Sequence, residues 1–496
     1  MCYFSGYKKK YQISLQYKLL KIKTMKSVKK YKKISKTALF LLIMLGLKSC
    51  LVVKDYVRPE LTETESLYRT DNLSQDSISM AAISWKNLFT DQWLQQYIEE
   101  ALKNNMDIRI AIQQIIAAQA YAKQGKAGYL PTLDIGANAS HQKLSSNSQF
   151  GSFLPNSSLN QFDVTANLSW EADIWGKIRS NKRATQAAYL QSVAGHQAVK
   201  TELIASIATS YYSLLALDAQ LKITEETIVS RALSVTTIKA LKDAGQVTQV
   251  AVDQDIAQYN NARSLAVDIK TAIFKTENTL SILLGKTPQE IERSSLEIQK
   301  IGLDLNIGMP VSLLRNRPDV MSAEYQLIQS FEFSNIAKSS LYPSLTLSTS
   351  GGFQSLEIDK LLNANSLFAT VIGGLTQPIL NQRKLKTQKE VAIAQQEQSL
   401  LQFKKTLLVA GSEVSDALFS FESETKKMKF IKNEVEALRT AEINSEELLK
   451  NGYANYLDLL IARQSALGAE LNIINSKLEQ LVAIVNLYEA LGGGWR

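Results

Sequence analysis

Apolar and polar residues alternate along this chain with two different periods. In 162–170, Phe162, Val164, Ala166, Leu168 and Trp170 share one side of a period-two pattern, and Asp163, Thr165, Asn167 and Ser169 share the other. Leu133, Ile135, Ala137 and Ala139 alternate likewise with polar or tiny residues, as do Leu345 and Leu347 with Thr346 and Ser348. Residues two apart lie on one face of a strand, so the pattern predicts strands at about 131–140, 161–172, 343–352 and 367–379. Polar stretches at 141–160 and about 353–366 join them in pairs. Elsewhere the spacing is three to four, as in Leu203, Ile207, Tyr211, Leu214 and Leu217, which is the stripe of an amphipathic helix. From Lys177 to Asp243 there is no proline and a single glycine, Gly195. A helix of this length reaches ~100 Å at about 1.5 Å per residue. Residues 384–451 repeat the pattern, and returning helices are predicted at about 249–285 and 456–491. Stripes this long find no cover within a compact globule and predict coiled-coil packing side by side.

The body is a tandem duplication, the first feature to seek in a long patterned chain. Gly245 pairs with Gly452, Leu284-Gly285 with Leu491-Gly492, and Lys177, Arg179 and Lys182 with Lys384, Lys386 and Lys389. Upstream, YLPTLDIGA (129–137) matches LYPSLTLST (341–349). The second offset exceeds the first by five residues, which are expected in the loop joining the first two strands. Repeat 1 spans 85–295 and repeat 2 spans 296–496.

The strand number decides the architecture. Strands of about 9–11 residues cross a bilayer when tilted, and a sheet edge left open in lipid is untenable. Barrels made from one chain need at least about eight strands. Two copies of a four-stranded unit would close a barrel filled by side chains, whereas three would leave an open lumen. The expected fold is therefore mostly α with a transmembrane β-barrel. It is a trimeric 12-stranded barrel, four strands per chain, continued by a coiled-coil α-helical periplasmic barrel. The internal repeat makes the ring quasi-sixfold.

Charge alters the picture only at the N-terminus. The chain holds 56 basic and 47 acidic residues, but 13 of the lysines and none of the acids lie in residues 1–49. Beyond them the balance turns acidic, which argues against nucleic-acid binding. The basic segment 26–36, the apolar run 37–47 and Ser49-Cys50 follow the order of a secretory signal at 1–49. The apolar run is too short for a transmembrane helix. Met25 fits as the true start. Leu47, Ser49 and Cys50 resemble a bacterial lipobox, with Lys48 departing from it, which implies lipid attachment at Cys50. Residues 50–84 read as a lipidated extended tether.

Several segments resemble the TolC/OprM-like outer-membrane factors, in the lipoprotein branch serving resistance-nodulation-division efflux pumps. They are WEADIWGKIRS (170–180), GMPVSLLRNRPDVMSAEYQL (308–327), YPSLTLSTSGG (342–352), GGLTQPILNQRKLK (373–386) and ALGGGW (490–495). The resemblance covers about residues 55–495. It implies a homotrimer in the outer membrane that extends into the periplasm. It also implies a periplasmic adaptor and an inner-membrane pump as partners. The family's Asp-x-x-Asp motif at the periplasmic constriction falls on NYLDLLIARQ (455–464), where Asp458 holds the first position and Ile461 the second. Asp253 and Asp255 lie near the corresponding turn of repeat 1. Threefold symmetry is expected to gather these carboxylates and raise their pKa values by like-charge repulsion, while an Ile461 ring closes the pore by dewetting. The turns bearing Gly245, Gln246, Gly452 and Tyr453 are the expected contact with the adaptor.

Other chemistries lack their residues. Cys2 and Cys50 both precede the folded body, and His141 and His196 are far apart, so no Cys/His metal cluster assembles. The GGG at 492–494 does not fit the spacing of a phosphate-binding loop. The expectation is a channel that is not an enzyme and carries no cofactor. A type I protein-secretion outlet or a structural coiled-coil lipoprotein are the alternatives.

Overall fold

The computed structural model describes residues 52–60, 67–69, 80–149, 151–153, 158–299 and 312–496. The export signal at 1–49, Met25 and Cys50 lie outside the described residues, as do 61–66 and 70–79 of the tether. The longer helices are α1 (Trp85–Leu88), α2 (Gln92–Asn104), α3 (Met106–Ala127), α4 (Lys177–Asp243), α5 (Gln249–Leu283), α6 (Leu313–Asn316), α7 (Pro318–Ser339), α8 (Lys384–Lys450) and α9 (Tyr456–Ala490). The strands are β1 (Thr132–Lys143), β2 (Ser158–Ala172), β3 (Ser344–Ser355) and β4 (Leu367–Thr376).

The duplication holds residue by residue. α4 and α8 start and end at equivalent positions, as do α5 and α9, α3 and α7, and β1 and β3. The five extra residues, expected in the loop joining the first two strands, are not confined to it. The connection 144–157 is longer than 356–366, β2 has 15 residues against 10 in β4, and the link 173–176 into the long helix is in turn shorter than 377–383.

The chain forms two compact units that cut across the repeats. The first comprises Gly125–Arg183 and Phe331–Ile393, with the described residues 52–57. Its centre is an antiparallel sheet in the order β1-β2-β3-β4. The register sets Ile135 opposite Ala166, Val164 opposite Phe353, and Phe353 opposite Leu367. One face is therefore apolar across all four strands, and the other carries rows such as Asp134, Asn167, Ser350 and Thr370. Among the described residues nothing covers the apolar face: Ile135 is 76% and Val371 68% exposed. β2 leads into α4 through a side-chain cap. The Asp173 carboxylate accepts from the Ile178 and Arg179 amides at 2.9 and 3.0 Å, satisfying the open first turn of α4. Trp175 stacks on Tyr342 and donates through Nε1 to the Pro343 carbonyl at 2.7 Å. The tether is partly fixed here, since Asn335 donates to the Lys54 carbonyl at 2.9 Å and Arg183 meets Asp55 at 2.6 Å.

The second unit comprises Arg58–Gln124, Ala184–Ser330 and Ala394–Arg496. Of the predicted stripe, Ile207, Tyr211 and Leu214 are fully buried and Leu203 is buried, whereas Leu217 is only partly covered and Ile204 and Leu215 complete the core instead. Each returning helix ends in a left-handed glycine, Gly285 (φ 72°) in repeat 1 and Gly492 (φ 83°) in repeat 2. Each end is held by an equivalent side chain. Asn105 donates to the Leu283 carbonyl at 2.9 Å, and Arg317 to the Ala490 carbonyl at 3.1 Å. Placing a cation at the second site requires counter-charges, and Arg317 pairs with Asp319 at 2.6 Å and Glu413 at 2.5 Å.

Glu489 lies beside this junction. Burial, then the Glu202 carboxylate, push its carboxyl up to about 7 from an ordinary 4.5, against the opposing pull of Arg317. A carboxyl raised in the folded state holds its proton there more tightly than in the unfolded chain. Its contribution is therefore most favourable below about 4.5 and declines as pH rises towards about 7. Melting followed by circular dichroism across that window is expected to show a falling midpoint that Glu489→Gln flattens. An unchanged slope in the variant would remove Glu489 as the cause.

Candidate gate at the helical turns

The α4–α5 and α8–α9 hairpins close through the same turn. The Gly245 and Gln246 amides donate to the carbonyls of Lys242 and Leu241, both at 2.9 Å. The Gly452 and Tyr453 amides donate to those of Leu449 and Leu448 at 3.0 and 2.8 Å. This crossed pair of bonds ends a helix on a left-handed residue, and Gly245 (φ 73°) and Gly452 (φ 76°) supply it. Gln246 and Tyr453 follow them and are exposed, Tyr453 to 83%.

The starts of the returning helices differ. In α9, the Asn455 side chain accepts from the Asp458 amide at 3.1 Å, and the Asp458 carboxylate accepts from the Asn455 amide at 3.3 Å. This reciprocal cap fixes the first turn. In α5 the N-cap Thr248 makes no such bond, and the counterpart of Asp458 is the buried Ala251. Asp458 thus has a structural task besides any role in a gate. Below the turns, Ile238, Val252, Tyr456 and Leu460 form a small core that joins the two hairpins, with Leu241, Val247 and Leu449 packed around it.

The other expected gate residues separate. Ile461 is 54% exposed. Asp253 is exposed and accepts from Gln249 Nε2 at 2.9 Å. Asp255 is placed differently from Asp253. Its side chain is wholly buried within one chain, with Oδ1 3.9 Å from Arg231 Nη1. The charge it faces among the described residues is the Arg231 guanidinium.

Around Asp255 lies a polar node that sequence reading missed. Arg231 of α4 is 3% exposed. Arg231 Nη1, both Asp255 oxygens and the Tyr456 hydroxyl are buried without a hydrogen bond. Burial and the neighbouring Arg463 guanidinium lower the Arg231 pKa, whereas burial and the Asp255 carboxylate raise that of Tyr456. Arg463 of α9 donates to Ser234 Oγ at 2.9 Å and pairs with Glu446 at 3.1 Å. Arg439 of α8 pairs with Glu442 at 2.8 Å and Glu470 at 2.5 Å. The signal was present in the heptad spacing. Thr224, Arg231 and Ile238 occupy one buried seam at seven-residue intervals, so a charge stood at a core position of the coiled coil.

Among the described residues, no group of His, Cys, Asp and Glu is disposed to hold a metal ion, and no helix is long and apolar enough to cross a membrane. Long hairpins in tandem, with a sheet apolar on one face and polar on the other, define the architecture of an outer-membrane channel protein. The family model "Outer membrane efflux protein" matches residues 97–286 and 309–493, and the chain belongs to that family. It is 29% identical over 465 residues to the solvent efflux pump outer membrane protein SrpC of Pseudomonas putida, covering 92% of this chain and 97% of SrpC. It is 26% identical to the cation efflux system protein CusC of Escherichia coli O157:H7, covering 92% and 98%. Among solved structures, the outer-membrane channel OprN matches with a TM-score of 0.80 at 23% identity, covering 90% of this chain and all of that one. A CusC structure matches with a TM-score of 0.77 at 25% identity, covering 89% and 99%. The protein is an outer-membrane channel component of an efflux pump, a transporter and not an enzyme.

Proposed function

We propose that three copies of this chain close one barrel and one helical tube, through which small molecules leave the cell passively. The observation that carries this reading is the sheet. It has an apolar face that lipid would cover and open edges at β1 and β4, and those edges do not survive in lipid unless further copies complete the barrel. Along α3, the uncovered Ile110, Ile116 and Tyr121 offer apolar surface to a neighbouring copy in the same way. A lipid on Cys50 anchors the assembly to the outer membrane. A periplasmic adaptor docks on the turns carrying Gly245, Gln246, Gly452 and Tyr453. An inner-membrane pump of the resistance-nodulation-division class supplies the energy and the solute.

The turns are the gate in this reading. Asp458 and Ile461 stand one helical turn apart at the start of α9, and threefold symmetry makes a carboxylate ring above an apolar one. Single-channel conductance of the purified protein in planar bilayers tests this. Asp458→Asn keeps an oxygen for the cap while removing the charge, and Ile461→Ala widens the apolar ring. The wild type is expected to show low conductance, with a rise in Ile461→Ala and reduced cation preference in Asp458→Asn. A wild type that inserts and stays silent, with both variants equally silent, would place the gate elsewhere. A protein that proves soluble and monomeric would sink the channel reading itself.

A further inference from the structure

The sheet register sorts charge as well as polarity. Carried through β1 to β4, the pairing sets Asp134, Asp163 and Glu171 on the polar face. None of the lysines, arginines or histidines within these strands shares that face. The strands' two such residues, His141 and Lys143, stand on the apolar face at the end of β1. The three acids occupy separate rows with neutral neighbours. Asp163 lies between Asn138 and Gln354, Asp134 opposite Asn167, and Glu171 opposite Thr346. Lys177 Nζ, 3.0 Å away, cancels the charge of Glu171. Asp163 accepts from Asn138 Nδ2 at 3.1 Å, a neutral amide that leaves the carboxylate charge in place. Asp134 is exposed.

We propose that Asp134 and Asp163 make this face a charge filter, so that the water column it lines admits cationic and neutral solutes in preference to anions. The proposal rests on the trimeric channel reading, in which three sheets turn the same face to the lumen and each aspartate occurs three times. Rings of acidic side chains favour cations, and a low-dielectric wall behind a narrow water column concentrates their field. The two aspartates stand four rows apart, about 13 Å at ~3.3 Å per residue. That is comparable with the Debye length of ~10 Å at 0.1 M salt, so the two levels act as one field there and fade at 1 M, where the length is ~3 Å. The filter lies in the strands and acts whatever the state of the turns. It therefore biases the charge of what passes even after the gate has opened.

The test is the reversal potential of the full-length protein in planar bilayers under a KCl gradient, in the Ile461→Ala background so that current flows. Asp134→Asn with Asp163→Asn is isosteric and is expected to move the reversal potential most of the way towards zero with conductance little changed. Thr370→Lys keeps both aspartates but sets a cation in the row of Asp134, and is expected to move it in the same direction. The wild-type preference is expected to shrink as the mean salt rises towards 1 M. A reversal potential unmoved by either variant, or one abolished by Asp458→Asn alone, would overturn the proposal and leave the channel intact. A protein that proves soluble and monomeric would instead remove the trimeric channel reading, and the filter with it.

Discussion

Asp255→Ala is expected to loosen the hairpin tips more than any change at an exposed carboxylate of the turns. Asp255 is wholly buried, and the charge it faces, Arg231, is 3% exposed. Removing it leaves Arg231 without its counter-charge and subject to Arg463, the neighbouring guanidinium that already lowers its pKa. Breaking a buried ion pair by deleting one partner costs about 3–5 kcal/mol, because the surviving charge stays out of water. Replacing both partners by apolar residues of similar volume is often neutral or stabilising. Asp255→Leu combined with Arg231→Met is therefore expected to recover most of the loss. Two measurements follow the effect. Hydrogen exchange of the amides in 228–260 should quicken in Asp255→Ala and return in the double variant. Single-channel conductance should rise in Asp255→Ala, since the node ties α4 and α5 to Tyr456 and Arg463 of α9. Equal protection in wild type and Asp255→Ala would show that the pair, at 3.9 Å, contributes nothing to the packing of the tip.

Much of the fold is legible in the sequence because its two periods are pure. Leu133, Ile135 and Val164 share a face as their alternation requires. The proline-free run from Lys177 to Asp243 is one helix from end to end. The repeat offset transfers each turn from one half to the other, since Gly245 and Gly452 do the same backbone work at φ 73° and 76°. The gate is less legible, because its residues differ in what surrounds them rather than in type. Asp253 and Asp255 are identical in sequence terms and two residues apart, yet one faces solvent and the other is sealed against Arg231. Which side of α5 is covered depends on α4 and α9, and the moment of a long coiled coil does not specify that partner. Asp458 shows a second kind of ambiguity. A carboxylate three residues after an N-cap asparagine is a capping residue by local rules, and its bond to the Asn455 amide accounts for its place without any pore. The local rule and the gating role act on the same atom, so only a variant that separates charge from hydrogen bonding divides them.

The four left-handed glycines that mark the repeats are not equivalent in what a side chain there would cost, and Gly492 carries the largest expected effect of the four. At Gly245 and Gly452 a Cβ meets nothing within 4 Å, so alanine pays only for the left-handed backbone, about 1–2 kcal/mol. At Gly285 the added carbon lies 2.7 Å from the Asn104 carbonyl oxygen, and at Gly492 it lies 2.3 Å from that of Asn316. Both obstacles are backbone atoms, and the second sits inside a closed arrangement. The Asn316 carbonyl also accepts from Trp495 Nε1 at 2.8 Å, and the next residue, Arg317, donates to the Ala490 carbonyl at 3.1 Å. The approach cannot relax without disturbing the end of α9, the α6–α7 turn and the Arg317 ion pairs together. Gly492→Ala is therefore expected to lose on the order of 4 kcal/mol or more, in the range reserved for overpacking against a fixed neighbour. Gly285→Ala should lose less, and Gly245→Ala least. Thermal unfolding of the three variants side by side, with the yield of assembled protein, tests the order. If Gly492→Ala melted with Gly245→Ala, the junction between α9 and the α6–α7 turn would have to be softer than its hydrogen bonds imply. The ALGGGW segment would then be explained by something other than the close approach of two backbones.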